Sequence, residues 1–343
     1  MYTKRRDHGF RHAIMQFKPI SDMALSSFLS SRHQLKEALK SMEVNQTRFL
    51  GPRTPEEARE NVTMATLPDL FVTFIAPEPK VNPHYEEVKR ESEEWMRNNL
   101  WKNLSEQEIR KRCAADFCYF SAIMCPDAGK ERFRTVCDWI YWVFEFDDPV
   151  RERYVKSNAH FCHSVAELHG EAFDDMVVME NIRRYLQVRA QNIGLYPLLA
   201  LEEYAYGIDL PREVVEHEAI QEIERLVAEI LTLQNDILSY HREHSIGHSQ
   251  NLISIFRRRL GLTQQQSYDK ANELLHRCYR QWYIAHSEVP CWGEQVDVQV
   301  QQYLKACVDV LKANVRWSFK SQRYFGADVD RVRETRKVVL VPS

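Results

Sequence analysis

The sequence predicts an all-α fold, and three observations carry that expectation. Glycine is scarce, 10 of 343 residues, which argues against turn-rich β architectures. Apolar residues recur with the 3.6-residue helical period over stretches too long to be strands. No region alternates apolar and polar residues as a strand does, and no internal repeat or low-complexity tract interrupts the pattern. A single all-α domain is expected over residues 65–335.

The elements follow in chain order. Residues 1–64 open with "MYTKRRDHGFRHAIMQFKPISD", a basic stretch without sustained apolar period, read as a loosely ordered N-terminal extension. A mitochondrial transit segment is the alternative reading, disfavoured because Asp7 and Asp22 interrupt the stretch. "PEPKVNPHY" (Pro77 to Tyr85) reads as a loop and "EEVKRESEEWMRNN" as the helix after it. "KERFRTVC" and "DWIYWVFEF" share one helical pattern, giving a helix from about Gly129 to Asp148, which Pro149 should end. Gly194 and Pro197 should break the helix that carries Arg189, leaving backbone carbonyls exposed there. "REVVEHEAIQEIERLVAEILTLQNDILSYHREH" places Ile220, Ile223, Leu226, Val227, Ile230, Leu233 and Ile237 on one helical stripe. "VQVQQYLKACVDVLKANVRWSF" repeats the pattern, and the basic "RVRETRK" leads into a solvated tail at 336–343.

Composition narrows the function. A net charge of −3 offers no footprint for nucleic acid or an anionic membrane. The longest apolar run, "GLYPLLAL", is far shorter than the roughly 20 residues that span a bilayer, so no membrane insertion is expected. Eight cysteines, at 113, 118, 125, 137, 162, 278, 291 and 307, form no CxxC pair or zinc spacing. They read as reduced, buried thiols of a cytoplasmic protein. Neither GxGxxG nor GxxxxGK[ST] occurs, so any phosphate must be held by metal ions and basic side chains.

Two oxygen-rich clusters stand at the ends of apolar helices. In "LQNDILSYHREHS", Asn235, Ser239 and Glu243 recur every four residues, forming one drifting column about 40° per step. They are either polar residues on a solvated face or hard oxygen donors suited to Mg²⁺. In "FEFDDPVRE", Asp147 and Asp148 directly follow an apolar run, with Glu152 beyond. Adjacent carboxylates repel unless solvated or bridged by a cation. His241, His244 and His248 share a helical spacing, but no HExxH pattern or fourth ligand accompanies them, and they read as surface residues.

These residues carry a family resemblance. The chain resembles the class I terpene synthases (terpene cyclases), most closely the sesquiterpene synthases of fungi. "NDILSYHRE" fits that family's (N/D)D(L/I/V)x(S/T)xxxE motif at Asn235, Asp236, Ile237, Ser239 and Glu243, with Arg242 where lysine is usual. Arg189 lies 46 residues before Asn235, where the family has its diphosphate-sensing arginine. "SQRYFG" supplies an Arg–Tyr pair, Arg323 and Tyr324, and "VNPHYEEVKRESEEW" resembles the family's opening segment. The acidic motif departs: the last acid of the usual DDxxD falls on Arg151, and a DDxxxE variant through Glu152 fits instead.

The resemblance implies a single-domain class I terpenoid synthase helical bundle around a central apolar cavity. It implies a sesquiterpene synthase that ionises farnesyl diphosphate with three Mg²⁺ ions, releases diphosphate and cyclises the cation to a hydrocarbon or alcohol. Asn235, Ser239 and Glu243 would chelate one ion, with Asp147, Asp148 and Glu152 at the others. Arg189, Arg242, Arg323 and Tyr324 would bind diphosphate. Phe117, Phe144 and Trp317 would face the cation, with the carbonyl of Ile193 or Gly194 nearby. The implied partner is the small prenyl diphosphate alone, and the protein a monomer or homodimer. A chain-elongating prenyltransferase would show a second DDxxD, and a helical binding protein without turnover is the alternative of another class.

Overall fold

The computed structural model describes residues 64–157, 175–247 and 250–341, and within these the helical backbone alone at 146–157, 175–179 and 191. The N-terminal extension up to residue 63, Cys162 and His248 lie outside the described residues. The architecture is all-α, with one small sheet among the described residues. Strand β1 (Met64–Thr66) is followed by a 3-10 turn at Thr73–Ile75 and then by helices α1 (Tyr85–Asn99), α2 (Glu106–Ala114), α3 (Phe117–Met124) and α4 (Lys130–Ser157). Next come α5 (Asp175–Asn192), α6 (Leu195–Tyr206), the single turn α7 (Arg212–Val215) and α8 (Glu218–Ser245). Helices α9 (Leu252–Leu260), α10 (Gln264–Ser287), α11 (Glu294–Ser318) and α12 (Val329–Thr335) lead to strand β2 (Lys337–Val339).

Local chemistry sets most boundaries. Capping boxes start α2 (Ser105 with Glu108) and α10 (Thr263 with Gln266), each satisfying end amides that a helix leaves unbonded. Gly194 and Gly207, at φ 87° and 68°, bracket α6 in the left-handed conformation that costs other residues most. Pro197 sits inside the first turn of α6, where its missing N–H has no helical partner to lose. The loop before α1 is pinned by Asn82, whose Nδ2 donates to the carbonyls of Cys125 (2.7 Å) and Ala128 (2.9 Å).

Helix α8 is the hub, packed against α5, α9, α10 and α11, while α3 lies between α11 and α4. Its predicted apolar stripe is fully buried, from Ile220 through Ile237. The apolar helix α3 buries nearly every side chain, as an element surrounded by others must.

Four expectations are corrected. Helix α4 runs on through Pro149 to Ser157; proline removes one N–H and crowds one carbonyl, which bends a helix whose flanking turns are held rather than ending it. The long helix expected from Arg212 divides at His217, which is extended and whose ring accepts from the Ala219 N–H at 3.2 Å. The C-terminal segment is not a solvated tail: β2 pairs antiparallel with β1, Met64 opposite Val339, and Val338 and Val341 are buried. Cys291 is exposed and Cys113 half-exposed, unlike the other described thiols.

One buried carboxyl stands out for stability. Glu202 on α6 is fully buried and neither carboxylate oxygen has a hydrogen-bond partner. Burial pushes its carboxyl well above the ordinary 4.5; Asp309 adds to this and Lys305 opposes it. A carboxyl raised in the folded state contributes most below its unfolded value and loses that contribution as pH rises through the folded one. Glu202→Gln should therefore match the parent melting temperature near pH 5 and exceed it by about 2–6 °C at pH 8. Scanning calorimetry at both pH values checks this, and an equal shift at both would count against it.

Candidate functional site

Asn235, Ser239 and Glu243 lie in the last three turns of α8. Solvation does not account for Ser239 and Glu243, which are 1% and 3% exposed, while Asn235 is half-buried. A buried carboxylate requires partners. Glu243 Oε2 accepts from Asn251 Nδ2 at 3.1 Å, and that nitrogen also lies 2.8 Å from the Asp236 carbonyl and 3.5 Å from Ser239 Oγ. Asn251 is the N-cap of α9, so one amide spans two turns of α8 and brings Ser239 and Glu243 together.

Asp236 points elsewhere, since one residue on a helix turns about 100°. Its Oδ2 accepts from the Tyr185 hydroxyl (2.6 Å) and the Leu252 N–H (2.8 Å), and its Oδ1 lies 3.6 Å from Arg189 Nη2. That last contact is ionic and too long for a hydrogen bond. Burial pushes the Asp236 carboxyl up to about 6, with Arg189 pulling it down and Glu243 pushing it up. It joins α5, α8 and α9 beneath the oxygen triplet.

Arg189, in the last turn of α5, is buried beside Asn235: Nη2 donates to Asn235 Oδ1 at 3.4 Å and Nη1 to Asn192 Oδ1 at 3.0 Å. Its buried Nε has no hydrogen-bond partner. Asn235 Nδ2 in turn donates to the Tyr324 hydroxyl at 3.0 Å. Residues 46 and 89 positions away thus meet at one asparagine. Arg242 is half-buried one residue before Glu243.

An aromatic cluster adjoins this contact. Phe117, at the start of α3, stacks on Phe144 of α4 with ring centroids 4.1 Å apart and planes 11° apart. Trp317, at the end of α11, lies 5.6 Å from Phe117 and 5.9 Å from Phe144, and Tyr324 meets it edge-on at 5.6 Å. Its indole N–H donates to the Ala115 carbonyl at 2.6 Å, which fixes the ring. The Arg323 guanidinium sits over Phe144 at 4.6 Å and over Phe117 at 5.5 Å. Trp142 meets the Trp139 ring at 6.5 Å.

Asp147 and Asp148 occupy α4 three and four positions beyond Phe144, one helical turn on, and Glu152 a further turn along. Their side chains lie outside what is described. The break between α5 and α6 falls at Ile193 and Gly194, as glycine there requires. The Gly194 carbonyl accepts the Leu198 N–H at 3.3 Å and belongs to the first turn of α6, so Ile193 is the freer of the two. The expected surface histidines are in part engaged: His241 Nε2 lies 3.1 Å from the Val339 carbonyl, and His244 meets the Tyr240 ring.

Sequence reasoning missed Tyr185 and Asn251 and gave Asp236 no role. Asn251 does carry a signal, an N-cap residue before the apolar run "LISIF", but that signal concerns its oxygen and not its nitrogen.

The donor chemistry fits the implied ligands. Among the described residues no group of three or more His, Cys, Asp or Glu could hold a metal. The triplet is of another kind: amide, hydroxyl and carboxylate oxygens, hard donors that match Mg²⁺. A buried guanidinium with an unused N–H fits phosphate oxygens in the same way.

The chain is similar to known proteins in sequence and in fold. Residues 107–281 match the model of "terpene synthase family 2, C-terminal metal binding". A silphinene synthase of Penicillium patulum is 34% identical, over 83% of this chain and 91% of that protein. A (+)-eremophilene synthase of Gibberella fujikuroi is 29% identical over 86% of this chain and 96% of its own. The structure of a hedycaryol synthase in complex with nerolidol superposes with a TM-score of 0.57 at 19% identity, covering 73% of this chain and 99% of that one, a likeness of fold. From the extent of the first match and the family model together, the chain belongs to the terpene synthase family.

Proposed function

We propose that residues 65–335 form a Mg²⁺-dependent sesquiterpene synthase, which ionises farnesyl diphosphate and cyclises the resulting cation to a hydrocarbon or alcohol, releasing diphosphate. The observation that carries this reading is the meeting at Asn235 of three functions. An oxygen-donor row runs along α8, a buried arginine reaches in from α5, and Tyr324 links both to an aromatic cluster. Sesquiterpene-type names among the relatives support it.

Each residue then has a task. Asn235, Ser239 and Glu243 would hold one cation, and Asp147, Asp148 and Glu152 of α4 are the residues assigned to the others. Three Mg²⁺ ions, when bound, supply the Lewis acidity that neutralises the departing diphosphate. Arg189, Arg242 and Arg323 with the Tyr324 hydroxyl grip the diphosphate oxygens through charge-assisted hydrogen bonds. Such donors act best when fixed in advance, and the burial of Arg189 fixes it.

Once the allylic bond breaks, the organic cation needs an enclosure that excludes water and presents no nucleophile. Phe117, Phe144 and Trp317 provide aromatic faces, each worth about 0.5–2 kcal/mol to a cation. That the Arg323 guanidinium already rests on two of them supports this use. The Ile193 carbonyl, at the α5–α6 break, is the dipole assigned to face the cation.

Incubating the purified protein with Mg²⁺ and farnesyl diphosphate, followed by gas chromatography of the headspace, tests the assignment. Cyclic C15 products are expected. Longer diphosphates would indicate chain elongation, and no turnover would indicate a binding protein. Asn235→Ala or Glu243→Ala should lower Mg²⁺-dependent turnover by more than about 100-fold with the helical circular dichroism unchanged; retained activity would remove these residues from the site. Trp317→Ala and Phe144→Leu should redistribute products while diphosphate release falls by less than about 10-fold. An unchanged product profile would make both rings ordinary core.

A further inference from the structure

We infer that Asn251 is a positioning residue for the cation-binding face of α8. The inference rests on the proposed function and deepens it. Both ends of this side chain are in use, and they do different work. The Oδ1 end accepts the Ile253 N–H at 2.9 Å and caps α9. The Nδ2 end faces α8, where it meets the Asp236 carbonyl at 2.8 Å, Glu243 Oε2 at 3.1 Å and Ser239 Oγ at 3.5 Å.

An amide nitrogen has two hydrogens, so the two shorter contacts take them and Ser239 is touched more weakly. The consequence for Glu243 is specific. Its side chain is 3% exposed, at the end of a helix, with several rotatable bonds. Ordering such a chain on cation binding would cost rotamer entropy. Asn251, itself fully buried, holds Oε2 beforehand and so orients the other oxygen. The platform beneath is also tied down, since the next residue, Leu252, donates its N–H to Asp236 Oδ2 and Tyr185 secures the same oxygen. The start of α9 therefore fixes the spacing between Ser239 and Glu243 through one side chain. Partners that orient metal ligands commonly contribute 10–100-fold in metal affinity.

The test separates this role from helix capping. Asn251→Ser keeps an oxygen able to cap α9 but removes the amide that reaches α8; Asn251→Thr is a second variant with the same property. Thr263→Ala, which removes the cap of α10, serves as a control that weakens the fold without touching α8. The full-length protein is titrated with Mg²⁺ at fixed inorganic diphosphate, and the rise in melting temperature gives the Mg²⁺ midpoint without turnover. The expected result is a midpoint raised 10–100-fold in Asn251→Ser and Asn251→Thr, and unchanged in Thr263→Ala. A parental midpoint in the Asn251 variants overturns the positioning role and leaves the synthase reading intact. A rise in all three variants overturns it as well, since the effect would then be one of general stability. Absence of any Mg²⁺-dependent shift in the parent protein overturns both readings.

Discussion

The structure depends on how α8 keeps a row of polar oxygens inside an apolar bundle. Ser239 and Glu243 are as inaccessible as the leucines around them, and burying such groups without partners costs several kcal/mol. The solution is to bring hydrogen-bond partners from three other elements: Asn251 and Leu252 donate from α9, Tyr185 and Arg189 donate from α5, and Tyr324, from the segment after α11, accepts from Asn235. The fold around α8 follows from that requirement. The turn between α8 and α9 is short, the α5–α6 break lies just past Arg189, and the chain beyond α11 returns to α8.

Polar and aromatic regions adjoin without mixing, and the Tyr324 side chain joins them. Its hydroxyl meets Asn235 while its ring meets Trp317 edge-on. Tyrosine suits this border because it has an apolar body and a polar tip. A diphosphate ester has the same division, a charged head on a hydrocarbon chain. Arg323 lies across the border too, a cation resting on the Phe144 and Phe117 rings. A site for separating charge needs strong ionic partners on one side and polarizable, non-nucleophilic surface on the other.

Helix α4 connects the aromatic cluster to the acidic motif. Phe144 is packed in the cluster, and the backbone carries Asp147 and Asp148 one turn beyond it. Continuation through Pro149 extends the same helix past Arg151 and Glu152. In a continuous helix, position 152 stands about five residues from 147 and not far in angle from Asp148, which an early helix end would not have arranged. The acidic motif departs from the usual spacing within a helix that keeps going.

Much of the site was legible in the sequence because its determinants are local. The four-residue spacing of Asn235, Ser239 and Glu243 fixes a common helix face, and the left-handed Gly194 fixes a break, whatever surrounds them. The apolar stripe from Ile220 to Ile237 shows which side of α8 is inward. Other features required the tertiary structure. Asn251 reads as a cap because capping is a local act, whereas the direction of its nitrogen depends on how α9 folds back over α8. The pairing of β1 with β2 joins residues more than 270 positions apart, and three-residue strands carry no period to recognise. Meetings such as Asn235 with Tyr324, and Phe117 with Phe144 and Trp317, depend on helix packing, which sequence separation does not encode. Local periodicity determined the helices and the residues they present; only the packing of those helices decided which of them meet.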